Sequence, residues 1–180
     1  MDRWFISDTH FNHNGIIHLA SRPFENAEEM NEALINSWNS FVGLHDIVYH
    51  LGDFMYRNSL LDITEIIGRL NGNIQLILGN HDINNIRKSD YKYFTWVGNY
   101  KTITINNQRY VLFHYPIHSW DGIHKGHIHL HGHTHNNIVD PKKNRVSVCV
   151  ELLDYRPINL EELKQLVLLH NKLVEISDEK

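Results

Sequence analysis

Arg3-Trp4-Phe5-Ile6-Ser7-Asp8-Thr9-His10 joins an apolar, aromatic run to a carboxylate and an imidazole two residues apart. The run has the composition of a buried strand, and the polar pair stands where that strand would end. The same arrangement recurs along the chain. Ile47 to Leu51 leads into Gly52-Asp53, Ile74 to Leu78 into Gly79-Asn80-His81-Asp82, Tyr110 to Phe113 into His114, and Ile128 to His131 into Gly132-His133-Thr134-His135. Polar clusters that repeatedly follow strand ends converge on one rim of a sheet, where the chemistry is expected.

Helical patterns separate the first three runs. Asn26 is a candidate N-cap with Glu29 three residues on, and Met30, Leu34, Trp38, Phe41 and Val42 share one face of a helix reaching Val42. A second helix is expected over Ser59 to Leu70. A third starts near Asn159, with Glu162 completing its cap and Leu163, Leu166, Val167 and Val174 as its buried stripe. Asn106-Asn107 reads as the tight turn of a hairpin between Thr102 to Ile105 and Tyr110 to Phe113. Val146 to Val150 is the last strand-like run. A β-α-β-α-β beginning followed mainly by strands predicts an α/β chain with mixed sheets and helices outside them. No repeat or linker divides the 180 residues, so one domain over 1–180 is expected.

Composition removes several classes of function. Hydrophobic content of 42% and charged content of 21% exclude a disordered chain, and no apolar run is long enough to cross a bilayer. A strand starting at Arg3 leaves no room for a cleavable leader, and the lone Cys149 has no disulfide partner. Both point to a reducing cytoplasm. Cys149 itself reads as a small buried side chain. A net charge of −4 argues against coating a nucleic-acid duplex, although a short nucleic acid in a cleft is compatible with it. The chain has 15 histidines, eight of them from His114 to His135. Such density fits either a metal site or a solvated metal-buffering tract, and spacing has to decide.

Two divalent ions about 3.5–4 Å apart require a carboxylate that reaches both, with imidazole, amide and carboxylate ligands around them. Asp53 suits the bridge, because Gly52 lets the chain turn sharply before it. Asp8 and His10 suit one ion, Asn80 offers an amide carbonyl, and His114, His133 and His135 close the set. This mixture favours Mn, Fe, Zn, Co or Ni over Ca. His81 need not bind metal, since the adjacent Asp82 would hold its imidazole charged, as a proton donor or transition-state cation. His127, His129, His131, His133 and His135 alternate, so an extended strand would place all five on one face. His13 and Arg57 are further candidates for contact with substrate.

The ordered blocks D-x-H, G-D, G-N-H-[DE], H and G-H-x-H resemble those of the calcineurin-like metallophosphoesterase superfamily. Ser7-Asp8-Thr9-His10-Phe11-Asn12-His13, with Ile16-Ile17 and Arg22-Pro23-Phe24, is similar to a small bacterial and bacteriophage group within it, which often has Gly where Asn12 stands. The resemblance implies a four-layer α/β sandwich, two mixed β-sheets flanked by helices, with two metals at the sheet edge. It implies a first metal on Asp8, His10, Asp53 and His135, a second on Asp53, Asn80, His114 and His133, and His81 beside the substrate phosphate. Serine/threonine phosphatases of the superfamily usually carry G-D-x-V-D-R-G. Gly52-Asp53-Phe54-Met55-Tyr56-Arg57-Asn58 keeps the arginine and lacks the acidic partner and final glycine, which speaks against protein phosphatase activity.

The expected activity is phosphoester hydrolysis, in which two ions, with manganese favoured, acidify a bridging water to hydroxide. With no residues left for a cap domain, an open groove favours a phosphodiester, with a cyclic nucleotide or nucleic-acid end as substrate, over a phosphomonoester. A binding scaffold with a decayed site and a metal-storage protein are the alternatives. The intact ligand set with His81 argues against the first, and a stoichiometry of two tight ions would exclude the second.

Overall fold

The computed structural model describes residues 1–56, 63–137 and 141–178. In chain order the elements are β1 (Arg3–Ile6), α1 (Asn14–Leu19), α2 (Ala27–Phe41), β2 (Ile47–His50), α3 (Ile63–Ile67), β3 (Asn73–Ile77) and α4 (Asp82–Asn85). They continue as β4 (Trp96–Gly98), β5 (Tyr100–Ile105), β6 (Gln108–Phe113), β7 (Ile128–His131), β8 (Arg145–Ser147), β9 (Ile158–Asn159) and α5 (Leu160–Asp178). One sheet has the order β4-β3-β2-β1-β9, parallel except at the β9 edge. The other runs β5-β6-β7-β8, with the β5–β6 hairpin antiparallel and the rest parallel.

Alternation along the strands divides the apolar residues between two cores. Trp4, Ile6, Val48, Ile74 and Leu76 pack under Met30, Leu34 and Trp38 of α2. Phe5, Tyr49, Leu51 and Ile77 face Tyr110, Leu112, Leu130 and Val146 of the second sheet, joined by Leu163 and Val167 of α5. The far side of the second sheet is covered by residues 115–127, where the Trp120 ring lies 5.4 Å from that of His129 and Ile117 accepts a hydrogen bond from Arg145. The expected α/β arrangement of two mixed sheets with flanking helices is what the chain forms.

Several local expectations differ from the structure. The Val146 to Val150 run pairs only as far as Ser147, because the chain then crosses to the first sheet. There Ser7 N donates to Val148 O and Val150 N to Ser7 O, and Val150 opens a 3-10 turn. Phe41, expected in the α2 core, is 47% exposed and lies beneath the Arg156 guanidinium, 4.7 Å from its ring centre. Asn26 caps α2 as expected by accepting from Glu29 N, but the Glu29 carboxylate accepts from Glu25 N instead of closing the box. The helix expected from Ser59 is described only from Ile63, its start lying outside the described residues. Among the described residues no helix is long and apolar enough to cross a membrane.

The cap of α5 is reciprocal. Asn159 Oδ1 accepts from Glu162 N at 3.0 Å, and Glu162 Oε2 accepts from Asn159 N at 3.0 Å. Asn159→Ala is therefore expected to cost about 1 kcal/mol, read as a lower urea midpoint at unchanged slope. An unchanged midpoint would remove the cap from the forces that seat α5.

Candidate metal centre

Pairing of the first two strands continues past their ends. Asp8 N donates to Gly52 O, His10 N to Asp53 O, Phe11 N to Phe54 O, and Tyr56 N to Phe11 O. Such zipping of two loops demands unusual backbone, and Asp8, His10, Asp53, His133 and His135 all have φ between 49° and 71°. Left-handed backbone at a non-glycine residue costs on the order of 1–3 kcal/mol. A buried arginine holds the first loop in place: Arg22 donates to Asp8 O at 2.6 Å, Thr9 O at 2.9 Å and Glu151 Oε1 at 2.7 Å. Close approach also requires the block glycines, since a Cβ at Gly79 would overlap Asp53 Oδ1 and one at Gly132 would overlap Asp8 Oδ2.

Three groups bring their ligand atoms within 4.8 Å of one another: Asp8, His10 and His135; His10, Asp53 and His81; and Asp53, His114 and His133. Asp53 Oδ2 stands between the outer two, 3.5 Å from His10 Nε2 and 3.5 Å from His114 Nε2. The imidazoles are oriented through their other nitrogens. His114 Nδ1 lies 2.7 Å from Leu51 O, which assigns the proton there and leaves Nε2 facing Asn80 Oδ1 at 3.1 Å. His135 Nδ1 lies 2.8 Å from Glu151 Oε1, with Nε2 4.0 Å from Asp8 Oδ1. His10 Nδ1 meets His13 Nδ1 at 3.1 Å, while His10 Nε2 is buried with no hydrogen-bond partner among the described residues. Lone pairs converging on a shared carboxylate, one of them on an orphaned buried nitrogen, suit a divalent cation, so these residues fit a metal site.

The electrostatics agree. Burial alone would raise the Asp53 carboxyl, but the His114 hydrogen bond and the charges of His114 and His10 hold it well below the usual carboxylate range. Burial opposes the charged form of His114, yet Asp53, Asp8 and the Leu51 carbonyl together raise it to about 9. His135 is likewise raised against burial by Glu151 and Asp8. Burial pushes His10 well down and also lowers His133. The proton on His114 thus occupies the negative field that a metal cation would otherwise fill.

Asp82 does not hold the His81 imidazole. Its fully buried carboxylate accepts instead from the backbone N–H groups of Asp53, Phe54 and Gly79, each at 2.8 Å. Burial raises it to about 6. His81 instead donates its backbone N–H to Asp53 Oδ1 at 2.9 Å, and its ring centre is 5.0 Å from that of His10. His13 reaches the rim, stacked on Tyr56 with ring centres 4.4 Å apart and tilted against His81 at 5.6 Å. Arg57 lies outside the described residues. The alternating histidines do not share one face: β7 ends at His131, and the left-handed backbone at His133 and His135 breaks the alternation. His129 and His131 are buried behind the rim.

Sequence reading missed three contributors. Glu151 orients His135, Arg22 pairs with Glu151, and the Cys149 thiol, buried as expected, donates to Asp8 Oδ2 at 3.1 Å. A charged Arg22 amid Ala20, Pro23 and Phe24 was the available signal for the second.

A family model described as the calcineurin-like phosphoesterase superfamily domain matches residues 1–150. An uncharacterized protein of Methanocaldococcus jannaschii is 39% identical over 171 residues, covering 91% of this chain and 90% of that protein. The gene 66 protein of Mycobacterium phage L5 is 35% identical over 81 residues, 44% of this chain and 39% of its own. The crystal structure of a protein of unknown function from Aquifex aeolicus superposes with a TM-score of 0.75 at 28% identity, covering 92% of this chain and 98% of that one.

Arg22→Met leaves Glu151 buried without its cation and is expected to cost about 3–5 kcal/mol in denaturant unfolding, with loss of bound metal. A variant of native stability and metal content would show the pair to be dispensable. At pH 7 a His114 raised to about 9 carries a proton that an entering cation must expel. Affinity for Mn²⁺ is therefore expected to rise with pH across neutrality, with proton release. Calorimetry in two buffers of different ionisation enthalpy reads that release, and identical heats would contradict it.

Proposed function

The chain belongs to the calcineurin-like phosphoesterase superfamily and is a hydrolase of phosphoester bonds, and from this premise we propose that it is a two-ion phosphodiesterase. Asp8, His10, Asp53 and His135 would hold one divalent ion, and Asp53, Asn80, His114 and His133 the other. Manganese is favoured, with iron, zinc, nickel and cobalt sharing the same ligand chemistry. The observation that carries this reading is Asp53 Oδ2, equally distant from the imidazoles of both clusters. Two such ions supply an acidified water as nucleophile and neutralise the phosphoryl oxygens.

The chain's own residues do the rest. Asp53 is kept ionised by its histidine neighbours, and Leu51 O and Glu151 fix which nitrogen of His114 and His135 faces inward. His81 is assigned to stabilise or protonate the leaving oxygen, with its backbone N–H tied to Asp53. His13 is assigned to the substrate side of the rim, where its ring stacks with Tyr56.

Preference for a diester, with a cyclic nucleotide or nucleic-acid end as the substrate, is supported by an exposed His133 and by the half-buried His81 and His135 at the rim. A cytoplasmic setting is supported by the single buried thiol.

Asp53→Asn is expected to lose metal and turnover together, and His81→Asn to lose turnover at least a hundredfold with both metals retained. Mn²⁺-supported hydrolysis of bis(p-nitrophenyl) phosphate against p-nitrophenyl phosphate tests the diester preference. Faster monoester cleavage would reverse it, and full activity in His81→Asn would remove that residue from the chemistry.

A further inference from the structure

The rim beside Asp53, His114 and His133 carries a file of aromatic rings that no ligand assignment uses. Tyr115 directly follows His114, and its ring centre lies 4.6 Å from that of His133 and 5.0 Å from that of His114. Outward from it comes Phe113 at 5.6 Å, and then Tyr100, the register partner of Phe113 on β5, at 6.3 Å from Phe113. The file thus runs from the candidate ions along the end of the second sheet. Tyr115 is 37% exposed and Tyr100 44%, so each keeps a substantial part of its surface open to solvent.

Two details make Tyr115 a platform rather than a loose cover. Its ring planes meet those of His133, His114 and Phe113 at 64°, 76° and 55°, so none of the three is stacked parallel on it. The backbone just beyond it is anchored, because Ile117 N donates to His129 Nε2 and His129 Nδ1 bonds to Val111 O behind the rim.

We propose that Tyr115, continued by Phe113 and Tyr100, is a stacking track for the bases of a single-stranded nucleotide phosphodiester whose scissile phosphate lies at Asp53, His114 and His133. This inference rests on the phosphodiesterase reading and narrows its substrate. Every base presents a π face whatever its sequence, so an aromatic file beside a cleavage centre favours nucleotides while tolerating any of the four bases. Alkyl and peptide esters offer no such face. Net charge of −4 suits a short end or oligonucleotide over a long strand, whose phosphates need a dense row of cations.

The test compares thymidine 5′-(p-nitrophenyl phosphate) with methyl p-nitrophenyl phosphate, two diesters with one leaving group, on the Mn²⁺-loaded protein. The ratio of their kcat/KM values cancels any common damage to the metal ligands. Wild type and Tyr115→Phe are expected to favour the nucleoside ester, and Tyr115→Leu to lose about tenfold of that ratio, the size of one base stack. Tyr100→Leu is expected to spare the mononucleoside ratio and to lower turnover of a trinucleotide. Saturation-transfer NMR of thymidine 5′-monophosphate gives a readout without turnover, with transfer to the base protons present in wild type and lost in Tyr115→Leu. An unchanged ratio, or transfer that survives in Tyr115→Leu, would overturn the track. If neither ester were hydrolysed, the phosphodiesterase reading would fail, and the NMR contact would still decide whether bases stack on Tyr115.

Discussion

A buried guanidinium sets the terms on which the rim is built. Arg22 reaches the carbonyls of Asp8 and Thr9 and the carboxylate of Glu151, which in turn orients His135. The segments around residues 8–9, 22 and 151 therefore share one buried charge. Left alone, each partner would be costly. Two of the carbonyls belong to a loop with left-handed residues, and Glu151 is a carboxylate that burial disfavours. Together they convert three local penalties into one arrangement with few alternatives.

The carboxylates divide the labour by what faces them. Asp82 faces backbone donors and fixes the Asp53 and Gly79 loops. Asp53 faces imidazole nitrogens, with Oδ2 held between His10 and His114. Asp8 does both, accepting from His133 N and Cys149 while lying near His135. Identical chemistry thus serves as scaffold where backbone donors surround it and turns toward the rim where imidazoles do.

The rim was legible in the sequence because strand ends are local features. An apolar run followed by Asp, His or Gly-Asp announces both the strand and where its last side chain leaves the sheet. Side-chain direction beyond that point was not legible. Asp82 was read with its sequence neighbour, whereas its partners are donors brought in by the fold. Glu151 and Arg22 stand 129 positions apart, so no window along the chain contains both. The short strands Trp96–Gly98 and Ile158–Asn159 escaped for another reason, since three and two residues carry no period and form only because an edge is waiting for them.

β1 lies between β2 and β9 and is also clasped at Ser7 by the Val148 to Val150 crossing. β1, β2 and β3 can zip together early from nearby sequence. Until residues 108 to 150 have been synthesised, however, the face bearing Phe5, Tyr49, Leu51 and Ile77 has no cover. During translation that apolar face stays open to water and to other nascent chains, the condition in which assistance by a chaperone matters most. The candidate ion cluster straddles the same seam, with Asp53 on one side and His114 and His133 on the other, so it can be completed only after the two sheets have docked.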